Sequence, residues 1–84
     1  MSLAKVRANF KRKGIAFREG EEFSEGYKGA LWTWAEGEHP KWFDYYSESK
    51  DFEIGVNKKL IAQLDKLGYY AEWYDCGTIF IHAI

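Results

Sequence analysis

The residues best suited to metal binding or catalysis are a histidine, a cysteine and a set of carboxylates. His39 stands near Glu36, Glu38 and Asp44, and imidazole combined with carboxylate is a ligand set for zinc or iron. The spacing matches neither an H-x-x-x-H nor an H-x-E arrangement. We therefore expect no metal and no cofactor, and we interpret His39 as a loop residue before Pro40.

A nucleophilic site would need a thiol or hydroxyl beside a positioned base. Cys76 falls at a predicted hairpin turn, which offers no enclosing wall and no oxyanion hole. His82 is on the following strand, with no assured proximity to Cys76. The glycines are too scattered for a phosphate-binding loop. We predict that the chain is not an enzyme.

Aromatic side chains are the other prominent feature. Sixteen of the 84 residues are Trp, Tyr or Phe. An aromatic side chain buries about 150–250 Å², and so small a domain cannot enclose all of them. Some aromatic surface must therefore face solvent, a ligand or a second subunit.

Charge is distributed unevenly, although the net charge is −1. Residues 1–18 hold six basic and no acidic side chains, whereas residues 19–53 hold ten acidic and three basic ones. The two segments can neutralise each other in the fold, or the basic segment can meet phosphate or an acidic partner. The basic residues concerned are Lys5, Arg7, Lys11, Arg12 and Lys13.

The elements that must position these side chains begin with a helix. Ser2 can cap a helix that runs to about Lys13, and Gly14 can end it. A strand is the alternative, because Val6 and Phe10 also lie in an alternating apolar and polar pattern. The helix is favoured because Ala, Lys and Arg are strong helix formers.

Three strands are predicted next. The run Ile15 to Arg18 indicates an edge strand, and Lys28 to Ala35 alternates as a strand does. Residues 36–41 form a loop, after which Trp42 to Ser47 is predicted to return as a strand and complete a first hairpin. Pro40 can instead open a short helix.

The last 27 residues before the C-terminal Ile84 carry the clearest local signals. Asn57 is a good N-cap, and Gly68 is a good left-handed residue after the helix end. Between them one apolar stripe is formed by Leu60, Ile61, Leu64 and Leu67. Two strand-like runs then flank the turn at residues 75–78.

The turn chemistry of this hairpin decides which side chains share a face. A two-residue turn at Cys76 and Gly77 pairs Tyr74 with Ile79. A type I turn with Gly77 in a left-handed bulge pairs Tyr74 with Thr78 and separates apolar from polar residues better. We predict the bulged form. One face then holds Tyr69, Ala71, Trp73, Ile79, Ile81 and Ala83, and the other holds Tyr70, Glu72, Tyr74, Thr78, Phe80 and His82.

The predicted fold is a single α+β domain over residues 1–84, with elements in the order α-β-β-β-α-β-β. Its sheet is mainly antiparallel, has four to five strands in two hairpins, and is accompanied by two helices. No apolar run is long enough for a membrane span, and no apolar stretch follows the first basic residues as in a signal peptide. With one cysteine, the chain is expected in a reducing cytoplasm.

The C-terminal run YAEWYDCGT, together with the segment FDYYSESKDFEIGVNKK before the second helix, resembles small uncharacterised accessory proteins of T4-like marine bacteriophages. The resemblance covers roughly the last half of the chain. It implies a phage accessory protein in a bacterial host cytoplasm, and it brings no active-site residues.

Two functions follow as hypotheses. The first is a non-catalytic binding module that uses an aromatic surface for self-association as a homodimer, or for a host or phage protein. The interface residues would be Tyr70, Tyr74, Phe80, His82, Trp32 and Trp34. The alternative is single-stranded nucleic-acid binding, with bases stacked on the sheet aromatics and phosphates held by the basic N-terminal segment.

Overall fold

The structure is a computed structural model that describes residues 2–35 and 39–84. Its helices are α1 (Leu3–Lys13) and α2 (Lys58–Leu67). Its strands are β1 (Arg18–Glu19), β2 (Leu31–Trp34), β3 (Phe52–Glu53), β4 (Val56–Asn57), β5 (Tyr69–Asp75) and β6 (Thr78–Ala83). Two 3₁₀ turns, Gly20–Glu22 and Glu25–Tyr27, connect β1 to β2.

The main sheet has four antiparallel strands in the order β1-β2-β6-β5. A second sheet consists of β3 and β4 alone. In the main sheet β6 is interior, and β5, the longest strand, lies at one edge. The predicted α+β class with a mainly antiparallel sheet is confirmed.

Both helices begin and end at the predicted residues, but the Ser2 side chain makes no capping hydrogen bond to α1. The Asn57 side chain accepts a hydrogen bond from the Lys59 N–H at 2.8 Å, which satisfies a free donor of the first turn of α2. Gly14 and Gly68 follow α1 and α2 with left-handed φ angles of 73° and 85°. Residues 3–13 are therefore helical, and the strand alternative is wrong.

The two helices pack against the same face of the sheet. Val6 and Phe10 of α1 and the stripe of α2 join Ile79 and Ile81 of β6 in one buried cluster. Leu31 of β2 completes this face, because it pairs directly with Ile81. The first helix therefore does not cover the opposite face of the sheet, which is left to other parts of the chain.

The predicted strand over Trp42 to Ser47 is wrong, and so is the hairpin it would complete. This segment forms turns, and its ladder contact is a single bridge between Phe43 and Val56. The cause is tertiary: Phe43 is buried and touches the Phe10 ring edge-on at 6.4 Å. The partners of β2 are instead β1 and β6.

The connection before α2 is the β3–β4 hairpin. Its two central residues, Ile54 and Gly55, have φ angles of 48° and 73°. Positive φ at both central positions is the signature of a type I′ turn. The turn is difficult to recognise from the sequence, because Asn or Gly normally occupies the position of Ile54.

In the last hairpin, the predicted turn is wrong, but the predicted division of side chains into two faces is confirmed. Asp75 pairs with Thr78, so the turn has two residues, Cys76 and Gly77, and the bulge lies at Tyr74. Gly77 is not among the described residues with positive φ. Its N–H bonds to the Asp75 side chain at 2.9 Å, which closes the turn without a left-handed glycine. The predicted division into two faces is retained.

The register of the β5–β6 hairpin predicts how substitutions on its two faces change the stability of the fold. Trp73 lies on the helix-covered face, half-buried, and its Nε1 donates to the Ile54 carbonyl at 2.7 Å. Trp73→Ala should therefore destabilise the chain by about 3 kcal/mol, whereas exposed Glu72 can be replaced by alanine within about 0.5 kcal/mol. Urea melts of both variants provide the measurement. Equal losses would contradict the register.

Candidate interaction surface

The face of the sheet that lacks helices is lined with rings. In the register, Trp32 pairs with Phe80, and Tyr70 pairs with His82. Residues of the connection between β1 and β2 add further rings above the strands. We call this surface the aromatic face; its members are Phe23, Tyr27, Trp32, Trp34, Tyr70, Tyr74, Phe80 and His82.

Phe80 is the centre of the aromatic face. Tyr27 stacks on it with centroids 4.2 Å apart and an interplanar angle of 16°. Phe23 meets it edge-on at 5.0 Å, and Tyr74 does so at 5.8 Å. Only 2% of Phe80 is exposed. Phe80 therefore supports the surrounding rings from below and does not offer its own surface to a partner.

The two 3₁₀ turns hold Phe23 and Tyr27 over the strands. The Gly20 N–H bonds to the Ala30 carbonyl at 2.7 Å, which closes the loop at its base. A Cβ at Gly20 would lie 2.1 Å from the Tyr27 carbonyl oxygen, so only glycine fits there. Phe23 and Tyr27 were missed as site residues, although an aromatic pair four residues apart in an acidic turn is a usable signal.

Four rings of the aromatic face remain open to solvent. The exposed fractions are 56% for Tyr74, 43% for Tyr70, and 39% each for Trp34 and Phe23. Trp32 is half-buried, and its Nε1 has no hydrogen-bond partner among the described residues. Trp32 thus acts as a packing residue, while the other four offer contact area.

His82 lies at the border of the aromatic face. Its ring is 5.5 Å from Tyr70 and 5.7 Å from Phe80, and it is half-buried. Its Nε2 lies 3.6 Å from a Glu72 carboxylate oxygen, so the two attract each other when the imidazole is protonated. The structure therefore brings all six sequence-predicted interface residues to one side of the sheet.

The charges on this side are mixed. The Arg18 guanidinium lies 5.5 Å from the Trp34 ring centroid, within the range of a cation–π contact. Arg18 Nη1 also lies 3.2 Å from Glu22 Oε1. Glu72 adds a second carboxylate to the same side. The aromatic face is not a basic surface.

The five basic residues of the alternative hypothesis lie on α1, on the other side of the sheet. Arg7 is engaged in a two-pronged ion pair with Glu19, with distances of 2.9 and 2.6 Å. This pair raises the pKa of Arg7 and lowers the pKa of Glu19. Lys13 donates to the Gln63 side chain and lies over the Trp42 ring. Lys5, Lys11 and Arg12 are exposed.

The residues considered for chemistry are separated from one another. His39 Nε2 accepts a hydrogen bond from the Ala16 N–H at 3.2 Å, and its neighbours Glu36 and Glu38 lie outside the described residues. Cys76 is exposed at the hairpin turn, while His82 is near the other end of β6. Within residues 2–35 and 39–84, no three His, Cys, Asp or Glu side chains form a metal-holding group.

Comparisons with protein-family models, curated proteins and solved structures find no match to this chain. The resemblance to phage accessory proteins therefore stays a prediction. None of the helices in the described part of the chain combines the length and apolar character that crossing a membrane requires.

The Arg7–Glu19 pair predicts a pH-dependent stability difference. Because the folded state lowers the pKa of Glu19, the stabilisation is present above the pKa of an unfolded glutamate and is lost as the pH falls through the folded pKa. Arg7→Gln should cost less than about 1 kcal/mol near pH 7, since the pair is partly solvated. The difference between the urea melts of the two proteins should start to shrink as the pH falls towards the pKa of an unfolded glutamate, about 4.3, and should vanish below the folded pKa of Glu19. A difference that grows on acidification would contradict the assignment.

Proposed function

We propose that the chain is a non-catalytic protein-binding module that associates through its aromatic face, with a second copy of itself as the partner. The observation that carries this proposal is the ring cluster on the helix-free face of the sheet. Four of its rings are exposed around the buried Phe80. Tyr, Trp and Phe supply large contact area at low conformational entropy cost and are enriched at interfaces.

The rigidity of the aromatic face supports binding by preformed shape. Phe23 is held by ring contacts to Tyr27, Trp32, Tyr74 and Phe80, with centroids 5.0 to 5.5 Å apart. A partner therefore meets rings that are already positioned, which reduces the ordering cost of association. A host or phage protein is the alternative partner for this face. The phage accessory role belongs to the proposal through the sequence resemblance, and the cytoplasmic location through the resemblance and the single cysteine.

Nucleic-acid binding is the second candidate. A four-stranded sheet with helices on one face and exposed rings on the other is an arrangement that RNA-binding domains use for base stacking. The position of Arg18 beside Trp34 favours it as well. Against it, the basic residues of α1 lie on the opposite side from the rings. Oligonucleotide binding that weakens steeply with salt would support this candidate.

Light scattering across a dilution series tests self-association. Tyr74→Glu places a charge among the rings and should weaken the dimer by at least about tenfold in Kd. Tyr46→Glu is the matched control, because Tyr46 is exposed and belongs to a different ring pair, with Tyr45. A wild-type protein that stays monomeric at high concentration, or equal effects of the two variants, would contradict the homodimer.

A further inference from the structure

A groove runs between α2 and the edge strand β5, and Tyr70 is the one open ring of the aromatic face that also borders it. Its volume is about 620 Å³. Ile61 and Leu64 of α2 form one wall, and the β5 residues Tyr69 and Trp73 form the other. Ile54, at the turn of the β3–β4 hairpin, contributes to the lining as well. The groove is thus mostly apolar and bounded by three elements.

The backbone of β5 along this groove is open for pairing. The Ile84 N–H bonds to the Gly68 carbonyl at 2.9 Å, which identifies these two residues as a hydrogen-bonded pair of the β5–β6 ladder. Hydrogen-bonded and non-bonded pairs alternate in antiparallel strands. Ala71 and Trp73 therefore direct their N–H and C=O groups away from β6. Among the described residues, no backbone group outside the ladder bonds to either of them.

Ile54 adds an independent sign of binding. It is 83% exposed and has a left-handed φ of 48°, which is unfavourable for a β-branched residue. Asn or Gly would suit this type I′ position better. Because Ile54 is exposed and its backbone is strained, it contributes little to the stability of the unbound protein. A backbone outlier of this kind is an indication of function when it borders a groove.

The charges around the groove indicate the chemistry of its occupant. Three carboxylates line it, those of Glu53, Asp65 and Glu72, against one ammonium group, that of Lys58. A second copy of the chain would bring the same excess of carboxylates to the contact, which disfavours pairing of two β5 edges. A basic partner complements the groove.

We propose that the β5 edge and the α2 groove bind an extended peptide segment of another protein, in which apolar residues alternate with lysine or arginine. The segment adds a strand beside β5 and bonds to the backbone of Ala71 and Trp73. Its alternate apolar side chains enter the groove and contact Ile54, while its basic side chains meet the carboxylates. This inference does not rest on the aromatic face.

Fluorescence anisotropy with synthetic peptides tests the inference. The probe is a labelled seven-residue peptide in which lysine alternates with isoleucine or valine, and the control peptide carries glutamate in place of each lysine. We expect the basic peptide to bind at least about tenfold more tightly than the acidic one. Absence of binding, or equal binding of both peptides, would overturn the inference.

Two variants distinguish the loss of groove contacts from a general loss of stability. Ile54→Asn should weaken peptide binding about tenfold, while it raises the midpoint of thermal unfolding by roughly 3 °C, because it relieves the strained turn. Ala71→Pro removes the outward N–H without removing a ladder bond and should also weaken binding. Cys76→Ser is the control, because Cys76 is exposed outside the groove and the change leaves the charge unaltered, so peptide binding should not change.

Two other outcomes are decisive against the inference. If Ile54→Asn and Ala71→Pro both bind the basic peptide as the wild type does, neither the groove nor the edge is the site. If light scattering shows a dimer that Ala71→Pro abolishes and Tyr74→Glu preserves, the β5 edge joins two copies of the chain. That result would overturn the peptide as occupant and, separately, contradict the aromatic face as the dimer interface.

Discussion

The packing of both helices against one face of the sheet is the constraint on which the rest of the structure depends. It concentrates the aliphatic core between the helices and β6, around Ile79 and Ile81. The opposite face then has no helix to cover it, although Phe80 of the same strand must be buried there. Phe23, which follows the first 3₁₀ turn, and Tyr27, at the end of the second, cover Phe80 and leave the outer rings open.

The strand β5 links this one-sided core to both candidate surfaces. Because side chains alternate along a strand, Tyr70 and Tyr74 reach the aromatic face while Tyr69 and Trp73 lie on the helix-covered face. Tyr69 and Trp73 line the groove, and Tyr70 borders it from the edge of the sheet. Edge strands in natural proteins are commonly short or otherwise protected. The edge strand β1 follows this rule with two residues, whereas β5 has seven. A long edge whose Ala71 and Trp73 have no backbone partner outside the ladder, beside an apolar groove, is consistent with a strand that is used in binding.

Local signals predicted the chain from Asn57 onward well. The cap at Asn57, the stop at Gly68 and the two faces of the last hairpin depend on residues close together in the sequence, and the structure retains all three. The turn itself was predicted wrongly, because the Asp75 side chain closes it and shifts the bulge to Tyr74. Side-chain hydrogen bonds of this kind compete with backbone turn preferences and are difficult to rank from sequence.

Long-range packing explains what the sequence did not predict. Trp42 to Ser47 has strand-like composition, but burial of Phe43 against Phe10 sets its path. Phe23 and Tyr27 stand in an acidic segment that looks solvated, and their role appears only when the segment folds over Phe80. The six predicted interface residues lie on one side of the sheet because they share faces of strands, which is a local property.

The central claim is that the helix-free face of the sheet is a binding surface in solution. Amide ¹H–¹⁵N spectra recorded on dilution from about 1 mM to about 20 μM test it most directly, since association moves the resonances of contacting residues over this range. The account predicts shifts at Phe23, Trp34, Tyr70 and Tyr74, with α1 and α2 unchanged. Spectra that do not depend on concentration, or shifts confined to the helices, would contradict it.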